Sequence, residues 1–463
     1  MLWTIAKKEL TQNLMEVRFF LILAVTVLLF AVSGVVSLSR YFDALERYHQ
    51  LARVEIQELR ESAMSLRQLF DHQQTLYLKP CLLEFLISGR GTGLSDSIQI
   101  SPRFVIAETL SVKLVPGNPL IERFTPIGWI FIVGAILSFG AVVFSYDSIS
   151  REKEEGILAL MLANPVRRSE ILLGKFLGIY LTIIIPLLVG VILSLLIVAT
   201  RFRIGVHPED GAKIGLVLLI ALVYLAGFAV LGIMVSALTH NSSNSFVILF
   251  LLWALFLVII PEAGNTAGRL LQPTKNSSQL LTLAQKAVEE VDNKYKDRES
   301  GVDFSQPFSE RTKIWVDFIN ERMRAARRVY DDHLHRALAQ AATARAFSRL
   351  SPASTFDYAV ENIAGIGLER TQLFLESVRS YRRALLQFIV DRDRMDPESP
   401  HLLFSFFLSK NPVDPHEIPL FDMSEPRLID SMRKAFFDVS LLMGFLFFVV
   451  IAAYIAFARY DAR

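Results

Sequence analysis

Between two long apolar runs the chain places Asp147, Ser150, Arg151, Glu152, Lys153, Glu154 and Glu155, then Gly156 and an apolar stripe of Ile157, Leu158, Leu160, Met161 and Leu162. Pro165 and the basic pair Arg167 and Arg168 follow. Residues of these types at this spacing do docking chemistry, not bond-breaking chemistry. The carboxylates suit the positive end of a helix dipole, the stripe gives that helix a greasy side, and the proline ends it. The plain alternative is a solvated loop. A loop that only joined two membrane helices would not need this charge pattern, so the segment is read as a stiff helix–break–helix handle offered to a soluble partner.

Reactive groups are otherwise scarce. No G-x-x-x-x-G-K-[ST] run cradles a nucleotide: Gly89, Gly91 and Gly93 lack the lysine, and Leu173-Gly174-Lys175 lacks the upstream glycine and the hydroxyl residue. The single cysteine, Cys81, rules out an intrachain disulfide or a cysteine cage. His333 and His335 stand two apart on a helix and point in different directions, and no zinc signature or nucleophile elbow occurs. The sequence therefore assigns no catalytic, cofactor-binding or metal-binding residue to this chain. A net charge of +2 makes no case for nucleic acid.

The elements that would hold the handle are membrane spans. Hydrophobic residues make up 52% of the 463, with 34 phenylalanines. A crossing helix needs about 20 mostly apolar residues, because lipid satisfies no backbone polar group. Six runs qualify: 19–38, 126–146, 171–200, 213–238, 246–261 and 434–458. Residues 1–18, with Leu2, Ile5, Leu10 and Leu14 between charges and Trp3 at the headgroup level, read as an interfacial helix. Lys7, Lys8, Arg18, the basic residues from Arg151 to Lys175, Arg459 and Arg463 outweigh Arg201, Arg203 and Lys213. That bias places both termini and the 147–170 segment in the cytoplasm. Segments 39–125 and 262–433 then lie outside.

Apolar residues in these segments keep helical spacing, at Leu45, Tyr48, Ala52, Ile56, Leu59, Ala63, Leu66 and Phe70, then from Ile319 to Ala341 and from Leu375 to Phe388. The expectation is an all-α integral membrane protein with an N-terminal interfacial helix, six transmembrane helices and a mainly helical extracytoplasmic domain. Ile98, Ile100 and Val112 leave room for a small β element. Ionisable groups inside the spans are nearly missing: Lys175 is expected to snorkel to the cytoplasmic face, and Asp438 lies near an outer end. That disfavours a proton- or ion-driven carrier, so energy should come from a partner.

The run Asp147-x-x-Ser150-x-Glu152-Lys153-Glu154-x-Gly156, then Leu160, Pro165, Arg168 and Leu173-Gly174-Lys175, resembles the signature of type-2 ABC-transporter permeases. Ile157 stands where that family often has threonine. The likeness extends to Asn118-Pro119-Leu120, to Arg123-Phe124 and to the stretch from Ser351 to Gly365, and is greatest to the subgroup with large extracytoplasmic insertions. It implies a permease of the cytoplasmic (inner) membrane, on the exporter side of the family, that binds no cofactor itself. ATP and Mg would be bound by a partner ABC ATPase subunit in two copies, alongside a second permease, identical or related, in membrane lipid. The family's ATPase-coupling helix maps onto Arg151, Glu152, Lys153, Glu154, Gly156 and Leu160, with Gly156 allowing close approach and Pro165 and Arg168 fixing the turn into the third span. Two other readings stand beside it: a mechanotransmitting subunit that relays ATPase motion to an extracytoplasmic partner, and a membrane sensor or scaffold.

Overall fold

A computed structural model describes residues 2–86, 97–102, 128–163, 167–202, 208–296 and 309–459. Among them six helices are long and apolar enough to cross a membrane, and the only sheet is a two-stranded antiparallel ribbon. The chain is an all-α multi-pass membrane protein. Helix α1 (Leu2–Met15) stops at Glu16, whose extended backbone turns the chain before α2 (Val17–Glu61) begins. At 1.5 Å per residue α2 is about 67 Å long, far more than a bilayer needs. Helix α3 (Leu66–Asp71) and strands β1 (Gln74–Tyr77) and β2 (Ser97–Ile100) follow, with Gln74 opposite Ile100. The second span, α4, runs from Trp129 to Ser145 and is π-helical over Ile132–Leu137.

Two short helices, α5 (Ser150–Glu154) and α6 (Ile157–Ala163), lead to the spans α7 (Arg168–Phe202) and α8 (Pro208–Leu238). The fifth span, α9, covers Ser242–Leu271 with a second π-helical stretch at Leu255–Ile259. Beyond it come α10 (Ser277–Tyr295), α11 (Glu310–Ser348), α12 (Pro352–Ala364), α13 (Leu368–Asp393) and the last span α14 (Leu428–Ala458).

Two hydrophobic cores result. One joins the spans, with Phe19, Phe30, Ile183, Phe228 and Phe457 among its buried residues. The other gathers Leu59, Leu66, Phe70, Ile98, Leu334, Phe374 and Leu385 from α2, α3, the ribbon, α11 and α13. Helix α2 contributes to both. Close approach to α7 depends on small residues: a Cβ at Gly178 would fall 2.5 Å from Glu9 Cβ, and one at Gly174 would fall 2.9 Å from Ile5, so α1 seats on that glycine face.

Helix α12 packs among the spans instead of with the outer bundle. Ser351, which caps it through the Ala353 and Ser354 amides, also donates to the Phe256 carbonyl in the π-helical part of α9. Phe356 stacks on Tyr224 of α8 with ring centroids 4.5 Å apart, and the Tyr224 hydroxyl donates to the Gly134 carbonyl in the π-helical part of α4 (2.8 Å). Counting back from Leu238 puts Tyr224 about 21 Å along the span. A π turn disturbs the i→i−4 ladder, and hydroxyls beside α12 serve the carbonyls at both disturbances. Charge fastens the same region: Asp438 of α14, fully buried, accepts from Arg349 (2.6 and 3.3 Å) and from Asn362 (3.0 Å), while Arg345 pairs with Glu361.

Removing the cation of that group strands a buried carboxylate. Arg349→Met should cost about 3 kcal/mol, the low end for breaking a buried pair because the arginine is partly exposed. Asp438→Asn, which keeps an acceptor, should cost less. Thermal unfolding of the detergent-solubilised protein checks this, and equal losses for the two variants would contradict it.

Candidate functional site

The segment between α4 and α7 is built of short pieces that cannot hold themselves. Helix α5 has no side-chain cap of its own. The Ser236 hydroxyl of α8 accepts from the amides of Ile149 and Ser150 at 3.0 and 2.9 Å instead. Ser150 Oγ in turn donates to the Tyr146 carbonyl and lies 3.2 Å from the Ser242 hydroxyl of α9. The turn after α5 holds Gly156, whose φ of +71° is a left-handed conformation that any side chain would strain. No atom lies within 4 Å of where a Cβ would stand, so the glycine is required by backbone conformation and not by crowding within the chain.

Three charges of the segment close the ends of three spans. Lys153 donates to the carbonyls of Ala237 and Thr239 (2.9 Å for the latter) at the C-terminal end of α8. Glu154 accepts from the amide and hydroxyl of Ser242 at 2.8 and 3.1 Å, at the first turn of α9. Arg168 donates to the carbonyls of Phe457 and Ala458 at 3.2 and 2.6 Å, at the end of α14. A helix leaves unpaired carbonyls at its C-terminus and unpaired amides at its N-terminus, with partial charges of matching sign. Two cations on C-termini and one carboxylate on an N-terminus are the favourable choice in each case.

Glu152 turns inward as well. Lys175 of α7, only 1% exposed, sits 2.7 Å from Glu152 and 2.9 Å from Glu9 of α1, and donates to the Ser148 carbonyl at 2.7 Å. The sequence reading had this lysine snorkelling to the surface. It stays buried because three acceptors meet its three N–H donors. Beside it Arg18 of α2 bridges Glu16 (2.6 Å) and Asp147 (3.2 Å) and donates to the Val143 carbonyl.

Of the residues expected to face a partner, Glu152, Lys153, Glu154 and Arg168 are thus bonded within the chain. Arg151 faces out, paired with Glu155 at 3.0 Å, as do Ile157 and Leu160, the latter 69% exposed, while Leu158 is buried. Pro165 lies outside the described residues, as do the 118–126 approach to the second span and the 89–93 glycines. Glu9, Ser236 and Ser242 were not singled out in the sequence. They lie far along the chain from the segment they serve, and a serine or glutamate on a helix surface carries no local mark.

Six spans, an interfacial helix and a charged segment knitting the span ends together define a class of membrane subunit. The family described as "ABC-2 family transporter protein" matches residues 3–462. The chain belongs to that family. A curated relative, the probable ABC transporter permease protein NosY of Pseudomonas aeruginosa, is 33% identical over 141 residues, which cover 28% of this chain. The chain spans about half (51%) of that relative's length.

Two outcomes check this geometry. Lys175→Met leaves Glu9 and Glu152 facing each other without a cation and should cost about 3–5 kcal/mol, whereas adding Glu9→Gln and Glu152→Gln should recover most of the loss. Unfolding midpoints of the single and triple variants measure it, and a triple variant no more stable than the single one would refute the triad. Gly156→Ala should cost about 1–2 kcal/mol through left-handed strain and Gly156→Asn clearly less, in the same assay.

Proposed function

We propose that this chain is the permease subunit of an ABC exporter, driven by ATP hydrolysis in a separate ATPase subunit that holds the ATP and Mg. The observation that carries this reading is the double character of the 147–170 segment. Its bonded charges tie it to α1, α2, α7, α8, α9 and α14, and its outward side presents Arg151, Glu155, Gly156, Ile157 and Leu160 together. A partner that moves this surface moves six elements at once.

In this reading Arg151, Gly156 and Leu160 meet the ATPase, with room at Gly156 for close approach. Glu152, Lys153, Glu154 and Arg168 carry the displacement to the span ends, and Pro165 completes the turn into α7. In this reading the α1 end of the bundle, and both termini, lie on the cytoplasmic side of the inner membrane, a placement supported by the basic residues gathered there. Two ATPase subunits and a second permease, identical or related, complete the transporter. ATPase closure then shifts the population between inward- and outward-facing arrangements through contacts that differ in the two states.

One feature favours a second reading, in which the chain relays motion to an extracytoplasmic partner. Helix α2 is one unbroken helix with Phe19 and Phe30 in the span core and Leu59 in the outer core. A proline is costly in a helix interior, so Ala52→Pro would uncouple the outer domain without touching the spans.

Purification from the native membrane in mild detergent, with mass identification of companions, tests the main reading. A P-loop ATPase should accompany the parent protein and be depleted about tenfold or more in Leu160→Asp and Gly156→Trp, as for loss of an interface anchor. A stable parent protein that brings no ATPase would defeat it. Transport retained in Ala52→Pro would speak against the relay, and loss of output with ATPase binding intact would support it.

A further inference from the structure

At the edge of the outer core, the seam between α11 and α13 gathers three arginines around one carboxylate. Arg327 of α11 donates through Nε to Asp331 Oδ2 at 3.1 Å, and Arg379 of α13 reaches Asp331 Oδ1 at 3.9 Å across the seam. Residues three or four apart share a helix face, so Arg382, three after Arg379, faces the same spot. Burial of its side chain and the nearby Arg327 cation push its pKa down to about 10, with Asp331 opposing them. At neutral pH it is a cation beside a cation. Three positive charges against one negative charge leave two uncompensated, and the neighbouring Asp332 is already paired with Arg336 at 2.9 Å.

Arg382 is the unmatched member. It makes no hydrogen bond and no ion pair among the described residues, and its Nε is closed off from solvent without an acceptor. Nη1 and Nη2 are equally unbonded but are not closed off, so the outer edge of this fork can be reached from outside. Arg327 and Arg379 are about one-third exposed (35% and 33%), and no terminal nitrogen of either makes a hydrogen bond. Beneath them Tyr381, Leu385 and Leu334 lie in the outer core, which holds the two helix faces in register. A half-buried cation next to a like charge costs stability, and no group among the described residues offsets it.

We propose that this seam binds a doubly charged oxyanion of the phosphate class, held by the outer edges of Arg382, Arg327 and Arg379. Its charge equals the local excess, and a tetrahedral oxyanion offers acceptors in enough directions to meet forks arriving from two helices. A single carboxylate, with one charge and two coplanar oxygens, would leave one cation unmet. Position decides the source of the anion. Helix α11 runs beside the distal part of α9, where Gly264 and Gly268 face Ala344, and the Ser348 hydroxyl donates to the Pro261 carbonyl. Arg327 lies about 30 Å along α11 from Ser348, whereas a headgroup layer is only about 6 Å deep. The ligand is therefore a solute and not a bilayer lipid. This site goes beyond the permease reading, since it does not depend on how the spans are driven.

Titration calorimetry of the detergent-purified full chain with inorganic phosphate, against chloride at equal ionic strength, tests the site. Phosphate should bind saturably. Arg382→Gln and Arg327→Gln should each weaken binding about tenfold or more, the scale for a lost hydrogen bond between charged groups. Arg383→Gln removes the same charge from the exposed side of α13 and should change binding by no more than about twofold. Without phosphate, Arg382→Gln should melt no lower than the parent, because it relieves the repulsion with Arg327. Glycerol 3-phosphate in the same titration separates a phosphate ester from the free ion, and saturable binding of either supports the site. No saturable binding of either probe, or a loss in Arg383→Gln as large as in Arg382→Gln, would overturn it while leaving the permease reading intact.

Discussion

The buried ammonium of Lys175 is the constraint on which the rest of this face depends. It is 1% exposed and held by three acceptors, so losing any one of them leaves a buried charge short of a partner. Those acceptors come from α1, from α5 and from the turn that precedes α5. One cation thereby fixes α1 and the 147–170 segment to the third span. The glycines at 174 and 178 follow from the same requirement, because only a bare helix face lets Glu9 come near enough to reach the lysine.

Once α5 is anchored, the remaining charges of the segment have little freedom. Lys153, Glu154 and Arg168 close the ends of α8, α9 and α14 with the sign each helix dipole prefers. The segment is a clasp more than a loop. Side chains that were not tied down would absorb a push locally, whereas a segment bonded to its neighbours through both backbone and side chains would transmit it. The fifth span shows the need for such a clasp. Only 6% of its most apolar stretch is buried within the chain, and what holds that stretch includes Glu154, the hydroxyls of Ser150 and Ser242, and the aromatic contacts of Tyr146 and Phe139, while its far end seats Gly264 and Gly268 against α11.

The fold class was legible because lipid allows a single solution to a run of twenty apolar residues, and because the charge pattern of residues 2–15 suits an interface. The small ribbon was legible at Ile98 and Ile100, where apolar residues alternate. The 147–170 segment could be recognised as helix, break and helix, but not which way its charges point. Glu152 and Lys153 are neighbours in sequence, and only packing decides that one meets a lysine of the third span and the other the end of the fourth. Lys175 looked like a residue near a membrane surface because its partners lie far away in sequence. The stretch from Ser351 to Gly365 gave no sign that it would enter the bundle: fifteen mixed residues are too short for a span, and its seat is made by Tyr224 and by carbonyls at two π turns that leave no pattern in the sequence.

The length of α2 has a geometric consequence. Its base lies beside Asp147, to which Arg18 binds it, and its other end is buried in the outer core about 67 Å away. A rigid rod of that length converts angle into distance. A tilt of about 5° at the base, small enough to leave the Arg18 contacts intact, sweeps the far end through about 6 Å. Gain of this kind comes from the length of the rod: Phe30, near the base in the span core, moves far less than Leu59 in the outer core.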